Sequence, residues 1–351
     1  VSVKVLQLGP VPPPYGGVQA NLVAIREYLQ QRGIANGIVN ITRHRGAPCG
    51  GVFYPRSAGE TAALLWRTKA RILHLHVGGE VTLRVAALAL LCAILPGRRT
   101  VLTFHSGGYP DSAEGRRARR WSLRGLVFRR FDRIIVVNEA LLDVFSRYGV
   151  PAKRLRLIRP HCVNLADMTP ELPEPMRSFF ATRHPVLLGV GLLEPEYDFA
   201  RQIDLLGRVR ELHPRAGLVI IGSGSLEAAL RAQTASRPWG EHVLLAGDTR
   251  HGDTLRAIRE AAALLRTTRY DGDAISVREG LLLGTPVVAT DNGMRPEGVR
   301  RVPMDQPEAL ETALLDTLRA AGERQMRPDL AGAENLEAVY QLYEEIAGIG
   351  A

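Results

Sequence analysis

Asp271-Gly-Asp-Ala-Ile-Ser-Val-Arg-Glu279 sets two carboxylates eight positions apart around a Gly and a Ser, just ahead of the apolar run Gly280-Leu-Leu-Leu-Gly-Thr-Pro-Val-Val-Ala-Thr290. Carboxylates so placed can accept hydrogen bonds from ligand hydroxyls or exchange protons with a reacting group. Ser276 stands where it can cap a helix whose first turn holds Val277, Arg278 and Glu279. The free N–H groups around Asp273, Ala274, Ile275, Ser276 and Val277 would then form an anion site at the helix terminus. Ser-x-x-Glu also matches a capping box, in which Ser276 and Glu279 serve only the helix end and Asp271 merely begins a turn. The motif by itself leaves both readings open.

Further chemistry is sought in Gly-rich turns that follow apolar runs, because parallel sheets bind ligands beyond the carboxyl ends of their strands. Pro10-Val-Pro-Pro-Pro-Tyr-Gly-Gly-Val18 supplies Gly16 and Gly17, which would let the backbone approach a ligand and open a helix from Val18 to Gln31. Ile221-Gly-Ser-Gly-Ser225 supplies Gly222 and Gly224, and Ala246-Gly-Asp248 is a third such turn. None is a dinucleotide fingerprint: Glu227 stands where Gly or Ala belongs, and no GxxxxGK[ST] loop occurs. Nicotinamide chemistry is therefore disfavoured. His105 directly follows the strand-like run Thr100 to Phe104, whereas His74 and His76 alternate within a strand pattern, as packed structural histidines do. Their placement points to no metal. Cys49, Cys92 and Cys162 are odd in number, far apart and in no metal spacing, which suits a reducing cytoplasm.

The elements that must position these residues alternate short β-branched runs with longer helical patterns, the signature of an α/β protein. Strands are expected at Val3–Leu8, Arg71–His76, Thr100–Phe104, Asp132–Val137 and Arg154–Ile158. A Pro-rich break from Arg159 to Pro185 follows. A second series is then expected at Val186–Val190, Gly217–Ile221, His242–Ala246, Ala262–Leu265 and Pro286–Thr290, with a closing helix over Asn335–Ile346. Two doubly wound sheets in tandem are implied, with domains at 1–165 and 166–332 and a C-terminal helix at 333–351 that crosses back to the first domain. The chain's 351 residues, 46% hydrophobic and 23% charged, are ample for two such cores. Val85–Leu95, the longest apolar run, is too short for a bilayer, which takes about 20 residues, and is expected to be a buried helix. No export signal precedes Val3, so a cytoplasmic protein is expected.

The net charge of +9 raises the question of an anionic partner. Arg116, Arg117, Arg119, Arg120, Arg124, Arg129 and Arg130 crowd one segment with Trp121 and Phe128. In a single helix, six of these arginines share an arc of roughly 160° with Leu123, Val127 and Phe131. A solvated helix face is the simpler reading, and peripheral contact with an anionic membrane the alternative. No nucleic-acid-binding signature is present.

With these turns on two doubly wound domains, the chain resembles the GT-B glycosyltransferases of retaining family 4 over nearly its whole length. The resemblance runs through Tyr15-Gly-Gly-Val18, Thr103-Phe-His105, Ile134-Ile-Val-Val-Asn-Glu139, Val190-Gly191, Ile221-Gly-Ser-Gly224, Leu245-Ala-Gly247 and Asp271 to Ala289. It implies two Rossmann-like domains facing a central cleft and transfer of a sugar from a nucleotide diphosphate sugar, UDP- or GDP-linked, to a hydroxyl acceptor. A glycan or lipid-linked acceptor in glycolipid or exopolysaccharide assembly is implied too, with no metal or other cofactor. By the same resemblance Glu279 takes the ribose hydroxyls, while Asp271 and His105 meet the transferred sugar as catalytic residues. Gly16, Gly17, Gly222, Gly224, Asp273, Ala274, Ile275 and Ser276 would line the donor.

The departures are specific. Family members carry Arg and Lys at the opening of the second domain, where both grip the diphosphate, but this chain has Leu192 and Tyr197 there. Arg266, Arg269, Arg278 and Arg295 lie in or beside the expected donor loops and are the candidates to replace them, with surface arginines as the plainer reading. The usual Pro-Asn-Gly-Val-Asp hinge is altered to Pro160-His-Cys-Val-Asn164. A non-catalytic sugar-nucleotide-binding module, or an epimerase or phosphorylase on the same architecture, are the alternatives these departures keep in view.

Overall fold

The computed structural model describes residues 3–12, 17–42, 50–79, 81–160, 163, 165–269, 274–320, 322 and 324–350. They fall into two compact units. One runs from the first strand to Pro160 and resumes at Gly332, and the other is Val163–Ala331.

The first unit holds β1 (Val5–Gly9), β2 (Asn36–Asn40), β3 (Val52–Phe53), β4 (Ile72–Val77), β5 (Arg99–Phe104), β6 (Arg133–Val136) and β7 (Leu155–Leu157). They pair in parallel in the order β3-β2-β1-β4-β5-β6-β7. Side chains alternate between the two faces of a strand, so each face needs its own cover. Leu6, Leu8, Leu73, Leu75, Leu102 and Phe104 pack beneath one layer of helices with Phe128 and Phe145. Val5, Ile72, Val101 and Ile135 on the other face pack against Ile25 and Leu29 of the helix Gly17–Gln31 and against Leu336, Val339, Leu342 and Tyr343 of the helix Ala333–Ala347.

The second unit holds β8 (Val186–Val190), β9 (Gly217–Ile221), β10 (Val243–Gly247), β11 (Ala263–Arg266), β12 (Val287–Thr290) and β13 (Arg300–Val302). Their parallel order is β10-β9-β8-β11-β12-β13. Leu187, Leu218, Ile220 and Leu265 face Ile203, Leu206 and Leu314, while Leu188, Val219 and Leu264 face Leu255, Ile258, Val277 and Leu282. This is the two-domain α/β architecture the alternating pattern implied.

The ten expected strands are present within two residues at either end, but β2, β3 and β13 were not anticipated. Asn36 and Asn40 bound β2, β3 has two residues, and β13 opens with two arginines, so none offers an apolar run to recognise.

Two expectations need correction. The helix Leu83–Ile94 is not wholly buried: it sets Ala86, Ala89 and Cys92 inward and leaves Leu83 80% and Ile94 54% exposed. Val85, Leu88 and Leu91 flank that inward face and are partly buried against the core, while Leu83, Leu90 and Ile94 turn out. The arginine-rich segment is not one helix but two short ones, Ala113–Arg116 and Leu123–Phe128. Ser112 and Ser122 each cap a start by accepting a backbone N–H, from Gly115 and Gly125. Of its two aromatics Phe128 is buried and Trp121 is 75% exposed.

Candidate functional site

Open parallel sheets bind ligands where the strand order reverses, outside the carboxyl ends of the two strands involved. In the second unit that point lies between β8 and β11, at Val190 and Arg266. Arg266 is buried there, donating from Nη1 to the Val190 carbonyl at 2.7 Å and from Nε to Thr268 Oγ1 at 3.2 Å. Its guanidinium lies 4.8 Å from the centroid of the Tyr197 ring. Tyr197, the residue in the expected lysine position, thus has a cation beside it from another loop. Arg295, also buried, donates to Thr290 O at 2.9 Å and to Thr268 Oγ1 at 2.9 Å. Arg269 is exposed, and among the described residues only its backbone N–H is fixed, on Glu196 O. The loops therefore gather Arg266, Arg295 and Tyr197, but not the Arg269 side chain. Leu192 is exposed.

The helix that follows, Ile275–Leu282, has Ala274 as its N-cap with no side-chain capping bond. The expected Ser276 cap and the capping box are thereby corrected: Ser276 sits one residue inside the helix and is buried. Glu279, 2% exposed, is not folded back on the helix end. Its Oε1 accepts a hydrogen bond from His251 Nε2 at 2.6 Å. Its Oε2 has no hydrogen-bond partner among the described residues. His251 opens the helix His251–Glu260 and is half-exposed. Sequence reading missed it; its place four residues after the Gly247 turn was the available signal. The amides of Ile275 and Ser276 lie in the first turn, which leaves them without intrahelical acceptors. Asp271 and Asp273 lie outside the described residues, as does Gly16; Gly17 begins its helix as expected.

Gly222 and Gly224 are required by backbone packing. At Gly222, φ is +135° and a Cβ would fall 1.9 Å from the Gly191 carbonyl oxygen. A Cβ on Gly224 would fall 2.6 Å from Leu193 O. The turn is sewn to the β8 exit by Gly191 N–H on Ile221 O and Leu193 N–H on Ser223 O, and Glu194 accepts from Ser225 N at 2.9 Å.

In the first unit the strand order reverses between β1 and β4, and His105 follows the neighbouring β5. Gln7, His74, His76, Thr103 and His105 form a polar stripe on one sheet face. His105 Nε2 lies 3.1 Å from His76 Nδ1, and His76 Nε2 lies 3.1 Å from Gln7 Oε1. His74 bonds Thr103 Oγ1 at 2.6 Å and the Tyr343 hydroxyl at 2.5 Å. Burial disfavours the charged imidazolium and holds all three histidines well below their ordinary range, His74 down to about 3. Among the described residues no group of three or more His, Cys, Asp or Glu is arranged to hold a metal ion.

Residues 174–302 match the family model of group 1 glycosyl transferases, and residues 15–166 match that of Glycosyltransferase Family 4. No curated protein sequence matches the chain significantly. The fold is shared with the HepE protein of Anabaena in complex with UDP-glucose, at TM-score 0.69 and 15% identity over 99% of this chain and 96% of that one. It is shared with sucrose-phosphate synthase from Thermosynechococcus elongatus, at TM-score 0.63 and 17% identity over 98% and 96%. A third likeness is to the lipopolysaccharide outer core galactosyltransferase WaaB in its apo form, at TM-score 0.58 and 13% identity over 100% and 99%. With both halves matched by glycosyltransferase models and two parallel sheets of this order, the chain belongs to the family 4-like glycosyltransferases of the GT-B fold.

Proposed function

We propose that this glycosyltransferase is a retaining enzyme that moves a sugar from a nucleotide diphosphate sugar to a hydroxyl of a glycan or lipid-linked acceptor, in glycolipid or exopolysaccharide assembly. The observation that carries the donor reading is Glu279, a buried carboxylate with one oxygen held by His251 and the other open to a ribose diol. UDP and UDP-glucose bound to HepE support a UDP-sugar as donor. Ala274, Ile275 and Ser276 would offer backbone N–H groups to the diphosphate, with Arg266 and Arg269 as cations. Gly16, Gly17 and Asp273 would border the donor, Gly222 and Gly224 would shape its loops, and Asp271 and His105 would meet the transferred sugar. In front-face substitution the acceptor oxygen bonds to C1 as the C1–O bond to phosphate breaks, and the acceptor's proton passes to the departing phosphate oxygen. No separate base is needed. The test is release of nucleoside diphosphate from UDP- and GDP-sugars, which should require an acceptor; tight binding without release would favour the non-catalytic module that Leu192 and Tyr197 keep in view.

Arg266 would supply part of the missing grip on phosphate. A charge-assisted hydrogen bond is worth roughly 1.5–3 kcal/mol, so Arg266→Gln should weaken nucleoside diphosphate binding by about ten- to a hundredfold and leave nucleoside binding unchanged. Calorimetry with both ligands decides it. Equal affinity of parent and variant for the diphosphate would show that Arg266 serves the fold and not the ligand.

An anionic membrane surface would be the place of the acceptor. Leu83, Leu90 and Ile94 recur on one outward face of the helix Leu83–Ile94, and Leu123, Leu126 and Trp121 are exposed in the adjoining segment. Arg124 Nη2 ties that segment to Val81 O at 3.1 Å. Exposed Arg84 lies on that helix, exposed Arg116, Arg117, Arg119 and Arg120 lie in the adjoining segment, and Arg120 and Arg129 lie over the Trp121 ring at 5.4 and 5.2 Å. Apolar side chains among cations suit a lipid interface. Among the described residues no helix is long and apolar enough to cross a membrane, and the contact proposed is a peripheral one. Each arginine near such a surface contributes about 1 kcal/mol, so Arg119→Gln with Arg120→Gln should lower vesicle binding by about thirtyfold. Sedimentation indifferent to anionic lipid content would rule the contact out.

A further inference from the structure

The polar stripe on the first unit's sheet contains two buried groups that the transfer reaction does not use directly, Gln7 and His76. We infer that they position His105 by fixing which of its ring nitrogens carries the proton, so that Nδ1 faces a hydroxyl of the transferred sugar as a bare acceptor; this rests on the reading of His105 as a sugar-contacting residue.

The chain of donors has one solution. Gln7 Nε2 lies 3.2 Å from the Leu22 carbonyl oxygen, which can only accept. The amide is thereby oriented with Oε1 toward His76, so His76 Nε2 must be the protonated nitrogen that donates across 3.1 Å. In the neutral ring Nδ1 is then bare and accepts from His105 Nε2–H. His105, neutral in turn, keeps its lone pair on Nδ1, which has no hydrogen-bond partner among the described residues. Every polar atom of Gln7 and His76 is used in this arrangement, as burial demands. The His74 ring lies tilted against His76 at a centroid distance of 4.1 Å and His105 stacks on His76 at 5.4 Å, so the rings are held against rotation. The consequence is electrostatic. A glycosyl transition state is oxocarbenium-like, and a bare nitrogen beside the sugar tolerates that growing positive charge where an N–H or an imidazolium would oppose it.

Gln7→Met removes the acceptor while nearly keeping the volume. His76 would then satisfy all donors by moving its proton to Nδ1 and donating to His105 Nε2, which drives the His105 proton to Nδ1. Nitrogen NMR of the histidine-labelled parent should show His105 protonated at Nε2 and bare at Nδ1, and Gln7→Met should reverse that. Turnover should fall about tenfold, the loss of one neutral hydrogen bond in the transition state, with UDP affinity within twofold of the parent. A parent His105 protonated at Nδ1, or averaged over both nitrogens, overturns the inference whether or not the variant folds. A reversed tautomer with unchanged turnover overturns it as well. Because the tautomer is read without turnover, these failures are distinct from failure of the transferase reading, which would show as no sugar nucleotide consumed by the parent.

Discussion

Gly222→Ala is expected to melt the second unit far below the parent. Two independent costs coincide there: φ of +135° is open to glycine alone, and the added Cβ would lie 1.9 Å from Gly191 O and 2.9 Å from the carbonyl carbon. Neither clashing atom belongs to a flexible side chain. Relief requires separating the exits of β8 and β9, which are joined by Gly191 N–H on Ile221 O, and of β10, joined by Gly222 N–H on Gly247 O. Backbone strain of about 1–3 kcal/mol plus overpacking of about 1–3 kcal/mol gives a loss of roughly 2–6 kcal/mol. In a unit of this size that is a fall in Tm of roughly 10 °C. Gly293→Ala is the control, because φ there is +76° but nothing lies within 4 Å of the added Cβ. Calorimetric unfolding that places both variants at the same Tm would contradict the packing account. The same displacement would disturb the Val190 carbonyl that anchors Arg266, so residual folded protein should bind nucleotide poorly.

The sheets were legible because a strand buried on both faces is largely apolar, with buried polar groups such as Gln7, His74 and His76 only where they find partners. Val186–Val190 and Gly217–Ile221 coincide with β8 and β9 to the residue. What escaped was peripheral, as with β13, where Arg300 and Arg301 stay exposed. Composition also misled where face, rather than content, decided burial. The run from Val85 to Leu95 is apolar enough for a core helix, yet between Leu83 and Ile94 only Ala86, Ala89 and Cys92 are fully buried, Val85, Leu88, Leu91 and Ala93 are partly buried, and Ala87 is exposed. Ser112 and Ser122 were the signal that the arginine segment breaks into two helices; Gly125 closes the fold there, since its Cβ would fall 2.7 Å from the carbonyls of Arg119 and Arg120.

The candidate site was legible as a motif but not as a set of contacts. Glu279 is buried at the expected loop, yet its partner His251 lies 28 positions earlier, and no local pattern joins them. Ser276 invited a capping reading because Ser-x-x-Glu is a local rule, and the chain instead begins its helix at Ile275. Arg266 is within five residues of Asp271 in sequence, but its meeting with Tyr197 and Val190 follows from β8 and β11 being adjacent at the strand-order reversal. His76 was read as a packed residue, which it is; that it also touches His105 depends on the β4–β5 register, which pairs His76 with Thr103.

Glu279→Ala should cost more in donor binding than any other single change considered. If its carboxylate takes two ribose hydroxyls, two charge-assisted hydrogen bonds vanish together, each worth roughly 1.5–3 kcal/mol. Water partly replaces them in the opened space, so a net loss of about 3–4 kcal/mol is expected, or a hundred- to a thousandfold in Kd for the nucleoside as well as for the sugar nucleotide. That sharing separates it from Arg266→Gln, which spares the nucleoside. Stability should change little, since half-exposed His251 can give its N–H to water once Oε1 is gone. Glu279→Gln should fall between parent and alanine: its amide oxygen still accepts from His251, while the NH2 group turned to the ribose can donate but not accept. Asp271→Ala should instead lower turnover more than affinity, because a contact to the reacting sugar acts mainly in the transition state. Calorimetry with nucleoside, nucleoside diphosphate and sugar nucleotide separates these cases. A Glu279→Ala protein that binds the nucleoside as tightly as the parent would show that the carboxylate serves His251 and the helix alone, and would remove the main support for the donor site.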